Sequence, residues 1–393
     1  MRVSTSQIYT LGSDSISKTQ SDLLRTQQQI ASMRRINAPS DDPIGSASAV
    51  AVRQSQARTD RFDQSIATAK DALGQNDTVM TSVVNLLQNA RTATIAAGNG
   101  TLNDADRRTF ATQLSQQLDQ LVGLANSKDG NGNYLFAGFQ SGTQPFVSSA
   151  GGVSYNGDSG ARSVQVDAGR SMAVSVSGDA LFLANPTGNG TFTASAPSTN
   201  AGSGTLGATQ VVDASALTGD SYKVTFNVVG GVTTYDVVDT TTATTLSAGN
   251  AWTTGNAITV AGQQFTLTGA PASGDQVDIA PSTNKSVFAT IADLVAALNA
   301  PVTDDASKSA LANRLSTGLA DLGGALENVM THQAQGGSQL AELDSLSSID
   351  QDRTLAYAKT LSRLEDLDYT KAPTDFAKQQ IALDAAQKSF VSV

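Results

Sequence analysis

Chemistry at neutral pH needs titratable or metal-binding side chains, and this chain offers few. His332 is its single histidine, and cysteine is absent. A zinc-protease signature needs two histidines one helical turn apart and cannot be written here. A disulfide frame or thiolate metal site is equally impossible. His332 falls in a long helical pattern and reads as a seam or surface histidine. Asp129, Asn131 and Asn133 have the odd spacing of a calcium loop. However, Tyr134 stands where that loop needs glycine, and Gln140 where it needs a bidentate glutamate. The segment reads instead as a glycine-rich turn leaving a helix. Gly188-Asn189-Gly190 lacks the lysine and the strand–helix context of a phosphate cradle. Serines and lysines are common, and no pair of them stands out as nucleophile and base. The expectation is no catalytic residue, no metal and no cofactor: a chain that is not an enzyme.

Charge narrows the partners. Lys+Arg 25 against Asp+Glu 35 gives a net charge of −10. Without a basic block, such a chain is not built to track a phosphate backbone, so no nucleic acid is expected. Glu327, Glu342 and Glu365 are the only glutamates. Aspartate therefore carries the acidity, and it favours caps and turns over helix interiors. The opening Met1-Arg2-Val3-Ser4 has no apolar stretch behind it, which argues against a cleaved secretory signal. No run approaches the roughly 18 apolar residues of a membrane span. The protein is expected to be cytoplasmic, or exported by a route that needs no signal peptide.

The elements are helical ends around a β-rich middle. Ile16, Leu23 and Ile30 recur every seven residues, preceded by Ile8 and Leu11, which is the narrow stripe of a coiled-coil seam. Pro39 and Pro43, with Ser40, Asp41 and Asp42 between them, interrupt it. A second seam runs through Ile66, Leu73, Met80, Leu87 and Thr94 and stops at Gly98-Asn99-Gly100. Asn103 or Thr101 can cap the next helix, which carries Phe110, Leu114 and Leu121. The period then changes to two. Ser163–Val166 and Val174–Val176 read as a hairpin turning at Asp167-Ala168-Gly169. Tyr222–Val228 and Val232–Val238 read as another, joined by Gly230-Gly231. Ile258–Val260 and Gln264–Leu267 form a third around Ala261-Gly262. Leu315, Leu322, Val329, Gly336, Leu343, Asp350, Tyr357 and Leu364 then restore the seven-residue step. An unbroken helix over 305–368 would be about 95 Å long, too long for a compact globule. Pro373 stops it, and Thr374 can cap a last helix carrying Phe376, Leu383 and Phe390.

The expected fold class is mainly α with a β insert: an elongated antiparallel helical bundle or coiled coil of the two halves, a β-hairpin region and a small β-sandwich-like domain. The expected segments are an N-terminal assembly helix (1–42), a helical bundle with hairpins (43–184) and the insert (185–285). Returning bundle helices (286–349) and a C-terminal assembly helix (350–393) complete it. The inner seams read as intramolecular core. The terminal ones are thin in bulky residues and would bury little at about 25 cal/mol per Å². That hardly offsets roughly 1–2 kcal/mol of backbone entropy per residue, so those ends are stable helices only when neighbouring molecules cover them. The candidate assembly residues are Ile8, Leu11, Ile16, Leu23, Ile30, Leu343, Tyr357, Leu361, Leu364, Phe376, Leu383 and Phe390.

Several stretches resemble a known family. Arg35-Ile36-Asn37-Ala38-Pro39-Ser40-Asp41-Asp42-Pro43 looks like the segment linking the N-terminal helices of the flagellin superfamily. Asn133-Tyr134-Leu135-Phe136-Ala137-Gly138 with Thr143-Gln144-Pro145-Phe146 is more selective. It resembles the hook-associated junction branch, and Gly157-Asp158-Ser159-Gly160-Ala161-Arg162, the opening Met1–Gln7 and Leu364–Tyr369 continue the likeness. The resemblance spans about 1–180 and 285–390, leaving the insert outside it. It implies an extracellular flagellar building block that self-assembles into a ring-like or helical layer between hook and filament. The implied partners are further copies of itself, an upstream hook-associated protein, flagellin and an export chaperone. No membrane partner is expected. Two departures stand out: the chain stops at Val391-Ser392-Val393 without an aromatic tail, and Pro373 interrupts a usually continuous helix. A filament flagellin, or an adhesion module working through the insert, are the alternative readings.

Overall fold

A computed structural model describes residues 5–391; the side chains of Thr5, Ser6 and Ile8 lie outside the described residues. Its helices are α1 (Thr5–Ser32), α2 (Pro43–Ala97), α3 (Asp104–Ala125), α4 (Val287–Asn299), α5 (Asp305–Glu365) and α6 (Ala372–Val391). Their ends follow from local chemistry. Pro43 opens α2, where a missing N–H costs nothing. Asn103 caps α3 by accepting from Asp106 N–H at 3.0 Å, and the Asp106 carboxylate accepts from Asn103 N–H at 3.4 Å, a reciprocal capping box. The α6 start departs from expectation. The helix begins at Ala372 and places Pro373 in its first turn, so Thr374 lies inside it rather than capping it. A proline is tolerated in a first turn because the N–H it lacks would have had no partner there.

The chain divides into two compact units, residues 1–67, 165–170 and 343–393 in one, and 68–164 and 171–342 in the other. The division cuts through α2 at 67/68, well beyond residue 42, and through α5 at 342/343, a few residues before 350. One reason is visible in the first unit, where Arg53 of α2 donates to Glu365 Oε2 at 2.5 Å and binds the start of α2 to the end of α5.

In the second unit, the heptad residues Met80 and Leu87 are buried with Leu114 and Leu121 of α3, Ile291 and Leu294 of α4, and Leu315, Leu322 and Val329 of α5. Burying each such side chain stabilises the fold by about 1.5–3 kcal/mol. Helix α3 packs against α4, an element whose 13 residues are too short to show a heptad. On α5, a Cβ at Gly318 would collide with Leu294, so glycine there lets the helices approach closely.

The strands are β1 (Phe146–Ser149), β2 (Gly152–Tyr155), β3 (Ser163–Asp167), β4 (Arg170–Ala173), β5 (Asn185–Pro186), β6 (Phe192–Ser195) and β7 (Thr205–Val211). Then come β8 (Tyr222–Val229), β9 (Val232–Asp239), β10 (Thr244–Ala251), β11 (Ala257–Val260), β12 (Gln263–Thr268), β13 (Gln276–Pro281) and β14 (Asn284–Lys285). The first hairpin partner of β3 is Arg170–Ala173 rather than Val174–Val176. The turn is tighter than the valines suggested, and Val174 N–H instead reaches Arg162 O at 2.8 Å beyond the strand. The insert holds a five-stranded sheet in the order β10-β9-β8-β13-β6 and a three-stranded sheet β11-β12-β7. Phe192, Tyr222, Phe226, Trp252, Phe265 and Ile279 from both sheets share one core, which makes the insert a sandwich. Asn185 pairs with Lys285 and Pro186 with Asn284 to close its neck.

Candidate assembly interface

The first family-like segment forms a clasp. Arg35 N–H donates to Glu365 O and its guanidinium to Leu364 O, both at 2.6 Å. The same guanidinium reaches Asp42 Oδ2 at 3.1 Å, and Arg34 pairs with Asp366 in an isolated antiparallel bridge. Asp41 accepts from Asn37 N–H at 3.0 Å and Ala38 N–H at 2.9 Å; those donors hold its carboxyl below the usual carboxylate range. Arg34, Arg35, Asp41 and Asp42 thus shape the break between α1 and α2 or tie it to the break between α5 and α6.

The second motif is a knot in the core of the other unit. Leu135, Phe136 and Ala137 are fully or almost fully buried. Phe136 meets Phe182 edge-on at 5.5 Å, and Phe146 packs on Phe182 at 5.3 Å and on Phe288 at 5.1 Å. Gly138 has φ 69° and a Cβ there would strike the Asp158 carboxylate, which accepts from Phe139 N–H at 3.0 Å and Gly160 N–H at 2.8 Å. The Tyr155 hydroxyl lies 3.0 Å from Phe136 O and 2.8 Å from Asp158 O, and burial pushes its pKa up to about 12. These residues build the fold, not a reactive site.

Helices α1 and α6 pack on each other. Tyr9 and Phe390 meet edge-on at 5.6 Å, and a Cβ at Gly12 would lie 2.9 Å from the Phe390 ring. Ile16, Leu23 and Ile30 of α1 and Phe376, Leu383 and Phe390 of α6 are half-buried. Tyr357, Leu361 and Leu364 of α5 are half-buried too. Leu343 departs from expectation: it is completely buried within the chain, so it serves intramolecular packing. Ile8 lies outside the described side chains. Of the sequence candidates, Leu11 is openly exposed, at 62%. Other apolar residues left bare include Leu24 at 53%, Met33 at 65%, Leu355 at 54% and Ile381 at 70%. Sequence spacing records periodicity, not which of two adjacent leucines, Leu23 or Leu24, faces the partner helix. Ile44, 81% exposed at the start of α2, carried no periodic signal at all. Asp350, on the seam, is 2% exposed and is paired with Arg353 at 2.9 Å; Arg353 also reaches Asp167 at 3.5 Å.

The candidates for chemistry are placed as follows. His332 is half-buried in α5, where burial lowers its pKa against an opposing hydrogen bond with Gln335. Asp129 Oδ1 accepts from Asn131 N–H and Asn133 N–H, both at 2.9 Å, so the loop's own backbone occupies it. Gly188 and Gly190 take φ 65° and 82° in a turn at the insert neck. Among the described residues no group of three or more His, Asp or Glu side chains could hold a metal ion. Among the described residues no helix is long and apolar enough to cross a membrane.

Residues 3–141 match the model of the bacterial flagellin N-terminal helical region. Flagellar hook-associated protein 3 of Escherichia coli K12 is 29% identical over 100% of this chain and 97% of its own length. The crystal structure of Xanthomonas campestris FlgL is 33% identical, covers 79% of this chain and 99% of its own, and superposes with a TM-score of 0.73. A flagellin of Listeria monocytogenes is 24% identical over only 33% of this chain and 46% of its own length.

Proposed function

The chain belongs to the flagellar hook-associated protein 3 (FlgL) family, and from that membership we propose that it forms the junction layer between hook and filament by coiled-coil self-assembly. It is an extracellular, structural component of the flagellum. The layer is ring-like, built from copies of this chain, with an upstream hook-associated protein on one side and flagellin on the other. An export chaperone is a further partner, and the protein has no catalytic role.

The observation that carries this reading is the end-to-end likeness to hook-associated protein 3, and it is supported by Leu11, Leu24, Leu355 and Ile381, apolar side chains left bare on the helices near both ends of the chain. Apolar side chains left exposed in the single chain are ones that neighbouring copies can cover, and here they lie on helices whose heptad residues are already half-buried. The filament-flagellin alternative is disfavoured because likeness to hook-associated protein 3 runs end to end, whereas that to the Listeria flagellin covers a third of the chain. The test is a strain lacking the gene. It should build hooks and release flagellin monomers into the medium without attached filament. Filaments of normal length in that strain would overturn the junction role.

A further inference from the structure

The β insert joins the helices through a neck of two residue pairs, and a connection that narrow would by default let an inserted domain move. A strip of α5 opposes such movement. At the neck, Asn328 Nδ2 donates to Ala180 O at 2.8 Å and to Asn185 Oδ1 at 3.0 Å. Gly324 lets the neck approach, since a Cβ there would lie 2.6 Å from Pro186 O. Two turns before Asn328, Asp321, 4% exposed, accepts from Gly188 N–H at 3.1 Å and from Lys285 Nζ at 3.1 Å. Lys285 also reaches Asp293 of α4 at 2.8 Å.

The strip then leaves the neck and grips the insert's body. Asn313 is 6% exposed; its Oδ1 accepts from Leu206 N–H at 2.8 Å and its Nδ2 donates to Gly204 O at 3.0 Å. Strand β7 is an edge strand, with β12 on one side only. The carboxamide therefore supplies the acceptor and donor that a further strand would give, and covers an edge that proteins do not leave bare. Asn313 and Asn328 are 15 positions apart, about 22 Å along one helix. Burying polar side chains such as Asn313 and Asp321 is unfavourable unless they are hydrogen-bonded, and here their bonds go to the insert. Consistent with this, residues 171–342, insert and helices together, fall in one compact unit.

We infer that the insert is a rotation-locked arm, held by α5 at its neck through Asp321 and Asn328 and at its body through Asn313. In an assembly of identical copies, each insert then projects at one repeated bearing instead of swinging on a tether.

The chain has no cysteine, so Thr245→Cys in β10 and Asp119→Cys in α3, both exposed, give a clean pair of spin-label sites. Electron–electron resonance on the full chain should return one narrow distance distribution. Adding Asn313→Ala and Asp321→Ala should abolish that narrow peak while the helical circular dichroism is retained. A broad distribution in the parent, or an unchanged narrow one in the variant, overturns the lock. If the double variant fails to fold, Asn313→Ala alone decides, because its hydrogen bonds go to the insert: persistence of the parental peak overturns the inference, and broadening supports it.

Discussion

Arg35 bonds the end of α5 twice, through its main-chain N–H to Glu365 O and through its guanidinium to Leu364 O, across 329 residues of sequence in the second case. The main-chain bond does not depend on the side chain, so the two can be separated. Arg35→Ala should leave the chain folded but weaken the clasp by about 1.5 kcal/mol, the low end for a hydrogen bond to a charged group, because the Arg35 side chain is partly exposed. Hydrogen exchange should quicken at 33–37 and 364–368 and stay unchanged in α3. Arg35→Lys should recover only part of the protection, because an ammonium cannot reach Leu364 O and Asp42 with the guanidinium's fork. Equal protection in all three proteins would remove the clasp from the account.

Exposed and buried leucines should separate assembly from stability. Leu24→Asp and Ile381→Asp fall on bare surface. Each should abolish filament attachment in a complemented strain while the monomer melts as before. Leu343→Ala falls in a fully buried site and should cost about 2–5 kcal/mol through lost transfer energy and a cavity. A lowered melting temperature in the surface variants, or an unchanged one in Leu343→Ala, would reverse the assignment of faces.

Two glycines with left-handed backbone test the core knot. Gly132 (φ 85°) has open space where a Cβ would go, whereas Gly138 (φ 69°) has the Asp158 carboxylate there. Alanine at 132 should cost only the backbone strain, about 1 kcal/mol. Alanine at 138 adds displacement of a carboxylate that holds Phe139 and Gly160. It should lower the melting temperature clearly more, and equal effects would mean that Asp158 yields freely.

Acid should act through the aspartate caps. Amide and hydroxyl donors hold Asp41, Asp42, Asp158, Asp239 and Asp368 below their usual 3.8. A carboxyl depressed in the folded state contributes stability that is complete above its unfolded pKa and is lost as pH falls through the folded one. His332 is also depressed, by burial. Its contribution is complete above the usual 6.5 and shrinks as pH falls below it. Thermal melts should therefore decline slightly from pH 7 to 5, then steeply below pH 4. His332→Gln should remove the first decline and leave the second; if the first persists, His332 is not its source.

How far the sequence revealed all this depends on the range of the interaction. The seams through Leu73, Met80 and Leu87 and through Leu315, Leu322 and Val329 were legible because heptad period is a local property, and these residues are buried. Gly230-Gly231 and Ala261-Gly262 likewise announced hairpins. Strand β13 pairs with β8 and β6, more than 45 and 80 residues away in sequence, and no local period encodes that order. The exposure of Leu24 and Ile381 was illegible for a related reason, since which side of α1 meets α6 is decided by packing. Asn313 looked like any helix-surface amide until β7 arrived beside it.

The terminal helices should be the least stable part of the free monomer. Helices α1 and α6 pack mainly on each other, and their contact residues are only half-buried. Tyr9, Ile16, Leu23 and Ile30, apolar residues of α1, are none of them buried, and many Gln, Ser and Thr residues lie between them. Two helices of 28 and 20 residues with so thin a shared face gain little beyond their marginal intrinsic helicity. Opening free energy in a native protein falls toward zero where few apolar contacts are buried. Helix α3, whose Leu114 and Leu121 are wholly buried, supplies the internal contrast. Limited proteolysis of dilute monomer should therefore trim both ends first and leave a product of roughly 45 to 345, and amide exchange in α1 and α6 should be fast beside α3. Incorporation into the junction should slow that exchange, because neighbouring copies would cover Leu11, Leu24 and Ile381. If α1 and α6 in the monomer were as strongly protected as α3, assembly would not be what stabilises them.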